Sequence, residues 1–167
     1  MYEVSLEFLN LTLIEFNAQI GTFYPRISPS FKICFDVGTR LIESIQPTRW
    51  QNLGSEFKLT TAKGSDYRII NYTELQPESI YYLLNGEDAY QERPQTLYEN
   101  TMKRFYQGRE FYIGEKRSFT HIFRHRIAKN MKAEGYNDGQ IQQYLGEKTL
   151  VSAKQYIYSE IYTNLPY

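Results

Sequence analysis

In the segment Thr120-His121-Ile122-Phe123-Arg124-His125 a histidine and an arginine stand three residues apart, the arrangement in this chain most suggestive of chemistry. On a helix, residues three apart share a face. His121 and Arg124 would therefore project together while Phe123, Ile127 and Met131 pack on another side. An imidazole donates a hydrogen bond or moves a proton near neutral pH, and a guanidinium offers a planar fork that matches two phosphate oxygens. The two together suit a phosphodiester. A structural histidine beside a surface arginine has the same spacing, so the pair alone leaves both readings open.

The segment that carries this pair is one of several with a helical pattern. Leu6, Leu9, Leu13 and Phe16 recur at helical spacing, and Phe31, Phe35, Leu41 and Ile45 extend a second pattern from Phe31 to Ile45, stopped by Pro47. Further helices are predicted from near Pro77, over Thr96 to Tyr106, over Phe119 to Glu134 with Gly135 as its C-terminal stop, over Asp138 to Leu145, and around Ser152 to Tyr158. Between the early and late helices lie extended segments around Trp50, Phe57 to Thr60 and Tyr67 to Ile70. The sequences Asn52-Leu53-Gly54-Ser55 and Lys63-Gly64-Ser65-Asp66 form turns between them. Gly86 to Pro94 is polar and reads as an exposed loop within the fold. Strands that are grouped, not alternating with helices, make an α+β class: a mostly helical single domain over 1–167 with a small antiparallel three-stranded sheet.

Composition narrows the function. The 167 residues are 41% hydrophobic, enough for a buried core, and 19 basic residues balance 19 acidic ones. A formal net charge of +0 argues against a protein that depends on overall charge to hold nucleic acid. The distribution is uneven, however. Lys103, Arg104, Arg109, Lys116, Arg117, Arg124, Arg126, Lys129 and Lys132 face only Glu110 and Glu115 across that stretch, which could form either a basic face or an ordinary solvated surface. The single Cys34 reads as a buried thiol, and with only His121 and His125 beside it no metal site or metal cofactor is expected. The sequence has no apolar run of transmembrane length, and its start lacks the features of a signal peptide, so an intracellular, cytoplasmic location is expected.

An ordered series then gives the pair a context. Gly38-Thr39-Arg40-Leu41-Ile42-Glu43, Ala62-Lys63-Gly64 in a strand-to-strand turn, His121-Ile122-Phe123-Arg124-His125, Leu145-Gly146 and Tyr156 resemble the catalytic domain of the tyrosine recombinases (the phage-integrase family). That family's pattern is G-x-R-x-x-E on a helix, a lysine in a β-turn, H-x-x-R-H, L-G-H or L-G-W, and a tyrosine nine residues after that His or Trp. Tyr156 stands nine residues after Glu147. The resemblance implies that Arg40 and Arg124 clamp the non-bridging oxygens of a scissile phosphate, with His121 bonding to the same group. It implies that Lys63 is the general acid for the leaving 5′ oxygen and Tyr156 the nucleophile, with Glu43 bracing the first arginine and His125 in support. Such cations stabilise charge that grows in the transition state. Tyr158 is the rival nucleophile in a chain of 16 tyrosines.

Two departures qualify the match. Glu147 stands where the family has His or Trp, a group at the scissile phosphate; pairing with an arginine is the expected way for a carboxylate to be tolerated there. With only some 35 residues before the first arginine motif, the family's N-terminal core-binding domain is expected to be absent, as in an excised catalytic half or a minimal enzyme that relies on partners. The resemblance further implies site-specific recombination of double-stranded DNA through a 3′-phosphotyrosyl intermediate, without cofactors. It implies a tetramer on DNA, accessory DNA-bending proteins, no membrane, and modest, salt-sensitive DNA affinity. A nicking enzyme of relaxase or topoisomerase type that uses the same residues without synapsis, and a catalytically impaired DNA-binding relative, are the alternatives. The short tail Asn164-Leu165-Pro166-Tyr167 is a segment that could pack on a neighbouring protomer.

Overall fold

The computed structural model describes residues 1–63, 66–88 and 94–167. A short strand β1 (Tyr2–Glu3) leads into α1 (Leu6–Phe23), whose start is capped by Ser5 Oγ accepting from the Phe8 amide at 3.1 Å. The helix buries Leu9, Leu13, Phe16 and Ile20, the stripe its periodicity demands. The second pattern resolves into two helices where the sequence suggests one. α2 (Ser28–Val37) ends at Gly38 in the left-handed conformation (φ 65°), and α3 (Leu41–Ser44) restarts with Arg40 as its N-cap residue. A side chain at Gly38 would be strained by that φ and crowded by Leu145 and Ile127 at 3.3–3.4 Å, so the break is built into the glycine.

The strands β2 (Trp50–Asn52), β3 (Glu56–Thr60) and β4 (Tyr67–Asn71) form the expected three-stranded antiparallel sheet in the order β2-β3-β4. Phe57, Leu59 and Ile70 point inward, and so does Arg68. Of the two turns, Gly64 and Ser65 lie outside the described residues, as do 89–93 of the Gly86–Pro94 loop. α4 (Pro77–Asn85) begins at its proline, followed by α5 (Pro94–Tyr106).

A second sheet is not foreshadowed by the sequence reading. β5 (Phe111–Ile113), β6 (Lys116–Ser118) and the C-terminal β7 (Ile161–Thr163) join β1 in the order β1-β7-β5-β6. Before β7 come α6 (His121–Ala133), α7 (Asp138–Leu145) and α8 (Leu150–Tyr158). The tail after β7 is held by its own chain. Tyr167 Oη donates to the Glu3 carbonyl at 2.6 Å, its ring stacks on Phe8 at 4.0 Å, and Arg109 donates to the carbonyls of Leu165 and Pro166. Among the described residues no helix is long and apolar enough to cross a membrane.

The core falls into three neighbouring clusters. α1, α2, α5 and α6 enclose an aromatic one around Phe16, Phe31 and Phe123; the three-stranded sheet packs Trp50, Phe57 and Leu59 with Ile33 and Val37; and α6, α7 and α8 meet at Ile127, Ala128, Ile141, Leu145 and Ile157. α6 borders both the first and the third cluster, and its residues His121 and Arg124 therefore stand where these units converge.

Candidate active site

Arg124 is fully buried on α6, where a guanidinium is costly unless it is paired. Nη1 donates to the Gly38 carbonyl at 2.5 Å and Nη2 to the Leu145 carbonyl at 3.0 Å, so the ends of two helices hold the group in place. These carbonyls are free because α2 and α7 end there, at left-handed Gly38 and Gly146. Gly146 is also close to Arg68: a Cβ at this position would lie 2.9 Å from Arg68 Cδ.

Arg40 approaches from α3. Its backbone amide donates to Glu43 Oε1 at 2.8 Å and its Nη1 to Glu43 Oε2 at 3.3 Å. Glu43, with no exposure, also accepts from the Ala62 amide at 2.9 Å, which ties the first arginine to the turn that carries Lys63. That amide link is not legible in a side-chain motif. Lys63 is exposed; among the described residues it makes no hydrogen bond or ion pair, but its charge acts on His121.

The two arginines meet on one atom. Oε1 of Glu147 accepts from Arg40 Nη2 and from Arg124 Nη2, each at 2.8 Å. The side chain of Glu147 is 7% exposed, so the carboxylate that departs from the family pattern points inward and is doubly paired. Nε of Arg40 and Nε of Arg124 are buried without a partner.

His121 and Tyr156 complete the cluster. Nδ1 of His121 lies 3.1 Å from the Tyr156 hydroxyl, and the guanidinium carbon of Arg124 lies 4.9 Å from the centre of the Tyr156 ring. His121 keeps an open edge to solvent. Even so, desolvation by the surrounding protein, then the charges of Arg124, Arg40 and Lys63, lower its pKa below the ordinary imidazole value, with Glu147 opposing. A neutral ring with an unprotonated Nδ1 can accept the phenolic proton. His125 packs against the Tyr156 ring at 4.8 Å, and burial lowers its pKa to about 3, which keeps it neutral. The rival Tyr158 is engaged elsewhere: its hydroxyl bonds to both oxygens of Asp138, at 2.9 and 3.0 Å. An open groove of about 440 Å³ beside Tyr156 is lined in part by Lys116, Arg117, Thr120, His121 and Gln155.

Arg40, His121, Arg124, Glu147 and Tyr156 are thus brought together, with Lys63 at the edge. The basic stretch is not one continuous basic face. Arg124 is internal, Arg126 bonds to Asn10 and the Phe35 carbonyl, Lys129 caps the end of α8 at Ile157 and Ser159, and Lys132 and Arg117 pair with Asp138 and Glu110. One residue of the scaffold is missing from the sequence reading. Arg68 is buried beneath the site and donates to the Val37 carbonyl at 2.7 Å, and its pKa is lowered to about 10 by burial and then by Arg124. Its inward position was detectable from strand alternation with Ile70.

No family model matches the sequence, and no curated protein does. Solved structures do match in fold. A XerH site-specific recombinase bound to difH substrate, in a pre-cleavage complex, is 19% identical with a TM-score of 0.60, over 88% of this chain and 48% of that one. A XerH post-cleavage complex with palindromic difH substrate gives 19% and 0.60, over 93% and 49%. XerA recombinase gives 19% and 0.62, over 95% and 60%. The chain spans about half to three-fifths of the length of these proteins, and the likeness is one of fold.

Proposed function

We propose that this chain is the catalytic part of a site-specific DNA recombinase that cuts and rejoins DNA through Tyr156. The observation that carries this reading is the meeting of Tyr156, His121, Arg124 and Arg40 in one cluster. The Tyr156 hydroxyl stands at hydrogen-bond distance from a ring nitrogen of His121, the Tyr156 ring lies under the Arg124 guanidinium, and Arg124 and Arg40 converge on a single carboxylate oxygen. The similar structures, two of them complexes of a recombinase with its difH substrate, add support at the level of fold.

In the reaction, Tyr156 Oη attacks the phosphorus of a DNA phosphodiester and its proton passes to His121 Nδ1. The new P–O bond leaves a 3′-phosphotyrosyl end. The P–O5′ bond breaks, and Lys63 gives a proton to the departing 5′ oxygen. Arg40 and Arg124 stabilise the charge that grows on the non-bridging oxygens; losing one such donor typically costs about 3 kcal/mol, or roughly a hundredfold in rate. Attack by a 5′ hydroxyl on the phosphotyrosine reverses the steps, so the bond energy is retained without metal or nucleotide. Strand exchange would bring four copies together on two duplexes, with DNA-bending proteins as accessories.

The occupation of the arginine pair by Glu147 favours a second reading, a DNA-binding relative that does not cleave. A nicked suicide duplex carrying the cognate site, or a library of candidate sites, separates the two. A covalent protein–DNA band on a denaturing gel, lost in Tyr156→Phe and kept in Tyr158→Phe, is the expected result. Binding to a site without any covalent band would refute cleavage.

A further inference from the structure

Glu147 occupies the place where two arginines converge. We propose that its carboxylate is an internal stand-in for phosphate, a displaceable gate that holds the arginine pair closed until a phosphodiester takes its position. The inference rests on the reading of this cluster as a phosphate site.

The charges in contact balance. Arg40 and Arg124 face Glu43 and Glu147, two positive against two negative. Glu43 has no exposure and three bonds to keep, so it is fixed. If Glu147 leaves, Arg124 retains only the carbonyls of Gly38 and Leu145, a buried cation without a counter-charge. A phosphodiester carries one negative charge, as a carboxylate does, and replaces it one for one. It also brings more acceptors. Each guanidinium has its Nη2 on Glu147 and its Nε without a partner. Nε and Nη2 form the side-on fork of an arginine, so on Arg40 the carboxylate occupies half of a fork that two phosphate oxygens would fill, while on Arg124 it shares Nη2 with the Leu145 carbonyl and leaves Nε open to a second oxygen.

The position of Glu147 in the chain suits a gate. It follows Gly146 in the short connection between α7 and α8, where Lys148 and Thr149 are exposed. Its backbone is anchored by its amide bonding to the Gln142 carbonyl, and the two helices are held by Ile141, Leu145, Ala153 and Ile157. The carboxylate can therefore turn out by rotating its own side-chain torsions, with no core residue displaced.

The test uses the 167-residue protein with inorganic phosphate as probe, read by NMR from the arginine Nε–H signals and the His121 ring, alongside thermal unfolding. Glu147→Gln, which keeps the shape and loses the charge, and Glu147→His are compared with wild type. Both variants are expected to bind phosphate about tenfold more tightly, equivalent to about 1.4 kcal/mol, and Glu147→Asp to remain near wild type. Unchanged or weaker phosphate affinity in folded variants overturns the proposal. So does failure of both to fold, because a carboxylate that the fold requires is not free to leave. The suicide-duplex assay keeps the two readings apart. Tighter phosphate binding with no covalent DNA band in any form supports the gate and refutes the recombinase; a band formed equally fast by all forms, at equal phosphate affinity, refutes only the gate.

Discussion

Replacing Glu43 by glutamine should unfold the protein at markedly lower temperature, because this carboxylate joins the first arginine to the lysine turn. Glu43 is fully buried and accepts from the Arg40 amide (2.8 Å), Arg40 Nη1 (3.3 Å) and the Ala62 amide (2.9 Å). Glutamine keeps the shape but turns one oxygen into an NH₂ donor. In either orientation the NH₂ faces at least one of these donors and leaves it buried without an acceptor, a loss of about 1–3 kcal/mol. The bonds that survive fall from charge-assisted to neutral and roughly halve in strength. The sum, about 3–5 kcal/mol, matches the usual cost of breaking a buried ion pair. For a chain of this size each kcal/mol lowers Tm by about 2–4 °C, so a fall of at least about 6 °C is expected. Circular dichroism melts and urea titrations would measure it, with exposed Glu134→Gln as a control that should stay within about 0.5 kcal/mol. A loss below about 1 kcal/mol would refute the reasoning, since the desolvation of Glu43 would then offset nearly all that its bonds contribute.

Other outcomes follow from the same geometry. The pKa of His125 is about 3 in the folded protein and near 6.5 in an unfolded chain, so below pH 6.5 the unfolded state takes up a proton that the folded state refuses. The His125 contribution to stability should be constant above pH 6.5 and fall towards pH 3, by up to about 1.4 kcal/mol per pH unit, read as the difference between wild type and His125→Asn at each pH; an NMR titration showing the ring protonating above pH 5 would contradict this. For Asp36, raised to about 6 by burial despite the Gln76 hydrogen bonds, the sign is opposite: the folded state is favoured at low pH and loses that advantage as pH rises through 6. Asp36→Asn should therefore raise Tm at pH 7.5 and leave it nearly unchanged at pH 4. Gly146→Ala combines a φ of 69° with a Cβ 2.9 Å from Arg68 Cδ, and should cost about 1–3 kcal/mol in a denaturant titration. Tyr167→Ala, which removes the stack on Phe8 and the bond to the Glu3 carbonyl, should lower stability by about 1–2 kcal/mol.

Much of the fold was legible because the signals that specify it are local. The stripe Leu9, Leu13 and Phe16, the proline that opens α4, and the span of α7 are each specified by residues within a few positions of one another. Local chemistry also marked His121 and Arg124 as candidates, and the resemblance to the tyrosine recombinases added Arg40 and Tyr156. The second sheet was not legible. Its strands are two or three residues long and come from both ends of the chain and the middle, too short to show alternation, so only long-range pairing defines them.

The sequence by itself determined the helical segments, the grouped strands and the residue types able to handle a phosphodiester. Tertiary structure decided which cations face inward, since Arg124 and Lys103 read alike until packing buries the first and leaves the second at the surface. It also separated Tyr156 from Tyr158. Two residues apart, they lie on nearly opposite sides of α8, and which side meets His121 depends on how α8 rests on α6. The turning of Glu147 onto both arginines was likewise decided there: its partners lie 107 and 23 residues away, and no local pattern encodes a meeting over such distances.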